Sequence, residues 1–124
     1  MSARPESLGR DRRIRSTREI RSLMREGKRR KTSNFDVFVA ASPDSFSRLG
    51  VIVPKHGHAI VERNLLRRRI REVGRRELLP GLETCGRDRD VLVRARPSAY
   101  EAAFATLRDE IIDLTRQLCS ESSS

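Results

Sequence analysis

One short segment limits what this chain can fold into. Residues 62–77, with the sequence ERNLLRRRIREVGRRE, contain seven arginines in sixteen positions. A helical period runs from about residue 59 to 79, and a turn of about 100° per residue places three apolar side chains within one narrow arc: Leu66, Ile70 and Val73. The segment therefore predicts a helix that buries this arc alone, and the Pro-Gly pair at 80–81 predicts its end.

The arginines of this helix form a row. Arg67, Arg71 and Arg75 lie four residues apart, and Asn64 and Arg68 fall beside them. Like charges at this spacing destabilise an isolated helix by about 0.2–0.5 kcal/mol per pair, so the row predicts an anionic partner. The whole chain carries 27 Lys and Arg against 17 Asp and Glu, a formal charge of +10, which favours nucleic acid. The alternative is a face that is merely solvated.

The other elements follow from hydrophobic spacing and turn residues. Residues 16–26 predict a helix with Ser16 or Thr17 as its N-cap and Gly27 as its stop. Residues 33–41 and 46–54 alternate apolar side chains on either side of a turn at 42–45, so they predict an antiparallel hairpin. Residues 90–95 predict a third strand. A closing helix is predicted by an apolar stripe: Phe104, Leu107, Ile111, Leu114 and Leu118. The order α-β-β-α-β-α predicts an α+β domain with one small sheet.

The length of the chain and its two cysteines indicate the number of domains and the cellular compartment. The 124 residues predict one domain with an ordered core at about 10–119 and flexible tails at 1–9 and 120–124. Cys85 and Cys119 predict no disulfide framework, which favours a reducing cytoplasm. The sequence shows neither a membrane-length apolar run nor a signal-peptide pattern.

A zinc site at His56 and His58 is disfavoured, since neither cysteine nor a paired carboxylate is near them in sequence. These histidines are expected to cap the arginine-rich helix or contact phosphate.

The segment 48–78, RLGVIVPKHGHAIVERNLLRRRIREVGRREL, resembles the signature of the bacterial ribonuclease P protein component. In that family a strand ending in a lysine-bearing loop leads into a helix with the pattern Arg-Asn-x-x-(Lys/Arg)-Arg-x-x-Arg. The loop lysine corresponds to Lys55, and five residues fill the helical pattern: Arg63, Asn64, Arg67, Arg68 and Arg71. The resemblance extends over roughly residues 10–118.

The resemblance implies a fold and a function. The fold is an α/β sandwich in which the arginine-rich helix is a left-handed β-α-β crossover. The protein is the small subunit of a ribonucleoprotein endonuclease that removes the 5′ leader of precursor tRNA. A large RNA carries the active site and the required Mg²⁺ ions, so the protein is expected to have no catalytic residue, metal or cofactor of its own. It is expected to act as a monomer within the holoenzyme and to bind both the catalytic RNA and precursor tRNA.

The resemblance also places the leader in a cleft between the sheet and the first helix. Single-stranded RNA is held by positive charge and by rings on which bases stack. Phe35 and Phe38 lie on opposite faces of their strand, so at most one can line the cleft, and the resemblance favours Phe38. The alternative that both are core residues stays open. The other candidates are Ile20 and Met24, which stand where the family often has aromatic rings, together with Arg12 and Arg13.

Two other classes of protein compete with this interpretation. A structural ribosomal protein that binds rRNA has the same kind of composition, and the arginine-asparagine spacing is what disfavours it. A DNA-binding regulator is weaker still, because neither a helix-turn-helix pattern nor a dimerisation heptad accompanies the basic helix.

Overall fold

The protein was examined as a computed structural model, which describes residues 12–121. The predicted flexible arm at 1–9 lies outside the described residues, as do residues 122–124 of the predicted tail. The elements in chain order are α1 (Thr17–Glu26), β1 (Lys28–Lys31), β2 (Phe35–Ala41), β3 (Arg48–Ile52), α2 (Ile60–Val73), a π-helical turn (Gly74–Leu78), α3 (Leu79–Thr84), β4 (Arg89–Ala95), a 3₁₀ turn (Pro97–Tyr100) and α4 (Phe104–Ser120). The α+β class is confirmed.

The four strands form one sheet in the order β1-β2-β4-β3. β4 runs antiparallel to β2 and parallel to β3, so α2 and α3 form a β-α-β crossover between β3 and β4. The left-handed sense of that crossover stays an expectation. The predicted hairpin of residues 33–41 and 46–54 is wrong, because β4 lies between the two strands. Val91, Leu92 and Val93 of β4 are fully buried, and a strand that is apolar on both faces needs the centre of a sheet.

β1 was missed by the sequence analysis. Its four residues, KRRK, show no apolar alternation, and they pair with β2 through the backbone from Lys28 opposite Val39 to Lys31 opposite Asp36. Cationic side chains are a common feature of exposed edge strands, which they protect from pairing with other chains.

The helices cover the two faces of the sheet unequally. α2, α3 and α4 pack over one face on a large core that includes Phe35, whereas α1 covers the other face on a small cluster of Ile14, Leu23, Phe38 and Leu92. The opposite orientation of Phe35 and Phe38 is therefore confirmed. The α1 boundaries are confirmed as well: Ser16 Oγ accepts from the Glu19 N–H, and the Gly27 N–H donates to the Leu23 carbonyl at 2.8 Å.

The predicted helix end at Pro80–Gly81 is wrong. The helical path continues through the π turn, where the Leu79 N–H bonds back to the Gly74 carbonyl, and into α3 as far as Thr84. Pro80 falls in the first turn of α3, where a helix tolerates a residue without an N–H. At Gly74 a Cβ would lie 2.4 Å from Leu49 Cδ2, so any larger residue here would force the buried Leu49 side chain to move.

The two cysteines form a disulfide, contrary to the prediction. Cys85 follows α3 and Cys119 lies near the end of α4, with their Cα atoms 5.8 Å apart across 34 residues of sequence. The same region holds Glu121, whose carboxylate pairs with Arg30 and whose carbonyl accepts from Arg87. Ser120 and Glu121, predicted to begin the flexible tail, thus belong to the folded part.

Candidate nucleic-acid interface

The outer side of α2 carries the main group of cationic side chains. Leu66, Ile70 and Val73 are buried, which confirms the predicted core arc. On the side that this arc leaves exposed, a shallow groove is lined by Val61, Asn64, Leu65, Arg67, Arg68 and Arg71. We call Asn64, Arg67, Arg68 and Arg71 the arginine face. The structure thus brings four of the seven predicted RNA-binding residues into one groove.

The charges of the arginine face are not neutralised within the part of the chain that the structure describes. Arg67, Arg68 and Arg71 form no ion pair with a carboxylate there; Arg67 donates to Asn64 Oδ1 at 2.8 Å. Partial burial lowers the pKa of Arg71, and the nearby positive charges of Arg13, Arg67 and Arg15 lower it further. Residues from the segment before α1 therefore add to the same positive field, which strongly favours an anionic ligand.

Arg75 does not join this face. Its guanidinium binds the Glu72 carboxylate at 2.7 Å, and its side chain is 16% exposed. Arg76 binds the same carboxylate at 2.5 Å, and these partners lower the pKa of Glu72, with the Arg75 hydrogen bond as the main cause. The spacing of four that aligned Arg75 with Arg71 assumes a regular helix, whereas the backbone passes into the π turn at Gly74.

The start of α2 is held by a compact polar unit. Glu62 Oε1 accepts the Ala59 N–H at 2.9 Å and lies 3.1 Å from His58 Nδ1; the bond to Ala59 is the main cause of the lowered pKa of Glu62. The His58 ring stacks on Tyr100, with centroids 3.7 Å apart and planes 7° from parallel. His58 thus supports the helix cap through Glu62, in a modified form of the predicted capping role.

Tyr100 was not singled out by the sequence analysis. It is the single tyrosine of the chain, and its hydroxyl donates to the Pro54 carbonyl at 2.8 Å, which ties the 3₁₀ turn to the end of β3. Desolvation by burial raises the pKa of Tyr100. Between Pro54 and α2 the exposed Lys55 sits in a turn closed by the His58 N–H donating to the Lys55 carbonyl at 2.8 Å. No periodic pattern links Tyr100 to this loop, so only the fold reveals it.

A second cleft lies between α1, the end of β3 and α2. It is lined by Met24, Val51, Ile52, Val53, Pro54, Arg63, Arg67 and Arg94. Arg63 Nε approaches the Val53 carbonyl at 3.4 Å, which places this predicted RNA-binding residue at the strand end. Arg67 lines both this cleft and the groove on α2, so the two surfaces adjoin.

The predicted leader-cleft residues are distributed over several places. Met24 lines the cleft itself, whereas Ile20 packs against the small cluster under α1. Phe38 is 6% exposed within that cluster, with the Arg29 guanidinium 5.8 Å from its ring centroid. The Arg12 guanidinium lies over the Phe46 ring, 4.8 Å from its centroid. The backbone of Arg13 forms a parallel β-bridge with Leu49, and its charge acts on Arg71. The structure therefore brings Met24 to the cleft, and the positive charge of Arg13 acts on Arg71 of the arginine face.

Two further observations concern residues 12–121. No group of three or more His, Cys, Asp and Glu side chains there could hold a metal ion. None of the helices in this part of the chain is long and apolar enough to cross a membrane.

Comparison with known proteins identifies the family. A family model described as Ribonuclease P matches residues 8–119, which cover nearly the whole chain. The chain belongs to the ribonuclease P protein family. The "Ribonuclease P protein component" of Micrococcus luteus is 39% identical over 117 residues, covering 85% of this chain and 86% of the relative. That of Thermotoga maritima is 30% identical over 115 residues, covering 91% and 97%.

Solved structures of the ribonuclease P protein share the fold. The protein from Thermotoga maritima superposes with a TM-score of 0.70 at 29% identity, over 85% of this chain and 96% of that one. The protein from Staphylococcus aureus gives a TM-score of 0.72 at 20% identity, over 88% and 95%, and shows the fold alone. Membership of this family, which implies a role in tRNA processing and an RNA partner, removes the ribosomal protein and the DNA-binding regulator as alternatives.

Proposed function

We propose that this chain is the protein subunit of a ribonuclease P holoenzyme that removes the 5′ leader of precursor tRNA. The observation that carries the proposal is the arginine face, three arginines without a carboxylate partner among the described residues, in a chain of this family. RNA phosphates are the natural counter-charge, and arginine binds them in a bidentate manner. The catalytic RNA is the ligand proposed for this face, with Lys55 contacting it from the adjoining loop and Arg63 from the first turn of α2.

Catalysis is assigned to the RNA partner, which would also bind the Mg²⁺ ions. The protein contributes positive charge, which reduces the repulsion between the catalytic RNA and its RNA substrate. One protein molecule per holoenzyme is sufficient for this role, since the arginine face and the cleft adjoin on one surface and can contact two RNAs at once.

The cleft between α1 and α2 is proposed to hold the single-stranded leader. Met24, Ile52 and Pro54 supply apolar contact, while Arg94 supplies charge for the phosphates. Phe38 of β2 lies on the same face of the sheet as Arg94 of β4, which is two residues beyond its partner Leu92. Phe38 is packed beneath α1, next to the cleft. Arg94→Gln should weaken binding of precursor tRNA and leave binding of mature tRNA, which has no leader, nearly unchanged. Equal weakening of both would contradict the assignment.

Reconstitution tests the function as a whole. The purified protein, freed of RNA by nuclease treatment and re-purification, should not cleave precursor tRNA. Adding it to the ribonuclease P RNA of the same organism should permit cleavage at a low Mg²⁺ concentration at which the RNA alone is slow. Cleavage by the RNA-free protein, or the absence of any stimulation, would refute the proposal.

A further inference from the structure

Two apolar side chains lie exposed within the groove of the arginine face. Val61 is 74% exposed and Leu65 is 39% exposed, one helical turn apart, and both line the groove together with Asn64 and the three arginines. Exposed apolar groups that are surrounded by cations are not required for contact with phosphates, since such contacts need only charge and hydrogen-bond donors. Their position in the groove therefore points to a ligand with an apolar part.

An unstacked nucleobase has the chemistry to fill this groove. Its face is apolar, its edges carry donors and acceptors, and its neighbouring phosphates are anionic. Asn64 Oδ1 accepts from Arg67, which leaves the Nδ2 hydrogens of Asn64 as donors toward an acceptor on a base edge. In a regular duplex the base faces are stacked on one another, so a base can reach Val61 and Leu65 only from a loop, a bulge or a single strand.

We propose that this groove binds an unpaired nucleobase of the RNA partner, with the base face on Val61 and Leu65 and the flanking phosphates on Arg68 and Arg71. The proposal rests on the proposed function, in which the arginine face binds the catalytic RNA, and it adds that the contact includes a base from an unpaired region. The face would then recognise the shape of a particular RNA site in addition to its charge.

A second copy of this chain is a poorer occupant of the same groove. A twofold contact would bring Arg67, Arg68 and Arg71 of one molecule against the same residues of the other, in a protein of formal charge +10. Such like charges repel unless an anion lies between them. Charge complementarity therefore favours RNA.

The double variant Val61→Gln/Leu65→Gln tests the proposal, because glutamine is a good helix former that suits exposed helical positions and removes their apolar surface. Ile60→Gln is the matched control, since Ile60 is 65% exposed on the same helix and does not line the groove. The affinity for the ribonuclease P RNA should fall about fivefold or more in the double variant, because the apolar surface that the base would cover is lost. The salt dependence of binding should be the same for the double variant as for the wild type. The affinity of the Ile60→Gln control should stay within about twofold of the wild-type affinity.

Base-specific chemical probing of the complexes gives the decisive readout. At least one unpaired base of the RNA should be protected by the wild-type protein and by Ile60→Gln, and should become reactive with the double variant. If affinity and protections are unchanged while binding remains salt-dependent, this inference is wrong and the proposed function stands. If the wild-type protein does not bind the RNA, the proposed function fails first. A wild-type dimer that the double variant converts to a monomer in sedimentation would assign the groove to self-association and overturn the inference. Should the double variant fail to fold, Val61→Gln alone provides the same test at the more exposed position.

Discussion

Arg48 and Arg71 show two opposite uses of the same side chain. Arg48, at the start of β3, is 11% exposed, and its guanidinium lies 2.7 Å from Asp90 and 2.9 Å from Glu19 of α1. These carboxylates raise its pKa, with the Asp90 hydrogen bond as the main cause. Arg71 is partly buried beside other arginines, and burial and their charges lower its pKa.

The difference separates charge that the fold neutralises from charge that it leaves available to a ligand. The ion pairs of Arg48 attach α1 to the sheet, and the protein itself supplies every counter-charge they need. The arginine face receives no counter-charge from residues 12–121, so folding leaves its repulsion in place until an anion binds. A count of arginines would treat both regions alike, whereas the partners of each guanidinium distinguish them.

The largest effect is expected from Arg48→Met. Removing one partner of a mostly buried ion pair leaves Asp90 without its counter-charge, so the free energy of unfolding should fall by about 3 kcal/mol. Denaturant unfolding measures this loss. Arg116→Ala is the control, because its ion pair with Asp113 is exposed on both sides and should matter by less than about 0.5 kcal/mol. Equal losses in the two variants would remove the distinction between the regions.

Arg71→Ala should lower the affinity for RNA and leave the stability of the free protein nearly unchanged. The affinity for the ribonuclease P RNA should fall, and the slope of log K against log salt should flatten by about one unit for one lost phosphate contact. Stability in the absence of RNA should stay within about 0.5 kcal/mol, since the variant removes a repulsion and no ion pair. Arg67→Ala should behave in the same way. An unchanged slope in both variants would mean that the face is only solvated.

The smallest effect concerns pH at the start of α2. The pKa of Glu62 is lowered in the folded protein, mainly by the Ala59 N–H, so this carboxylate contributes stability above its unfolded pKa of about 4.5. That contribution is lost as the pH falls through the folded pKa. Glu62→Gln should therefore show a shallower decline of the free energy of unfolding as the pH falls below about 4.5. Parallel curves for the variant and the wild type would show that the cap does not titrate with folding.

Hydrophobic periodicity predicted the elements that bury one clear face. The arc of Leu66, Ile70 and Val73 identified α2, and the alternation in β2 placed Phe35 and Phe38 on opposite sides. β1 escaped prediction because backbone pairing with β2 creates it, and its side chains carry no apolar signal. The hairpin was wrong because the proximity of two strands in sequence was given more weight than the doubly apolar character of β4.

The candidate site was predicted where it depends on one regular helix. Asn64, Arg67, Arg68 and Arg71 share a groove as the spacing requires, whereas the π turn and Glu72 take Arg75 out of it. The His58–Tyr100 stack and the Cys85–Cys119 disulfide join segments more than 30 residues apart, and no local pattern encodes such contacts.

One measurement tests the central claim most directly: the salt dependence of affinity for the ribonuclease P RNA in two triple variants that remove the same charge. Arg67→Gln/Arg68→Gln/Arg71→Gln removes the arginine face, whereas Arg76→Gln/Arg108→Gln/Arg116→Gln removes three arginines that are ion-paired on the surface. The first triple should flatten the slope by about 2–3 units and the second by less than about one unit. Equal changes in the two triples would contradict the account, because affinity would then follow net charge instead of the arginine face.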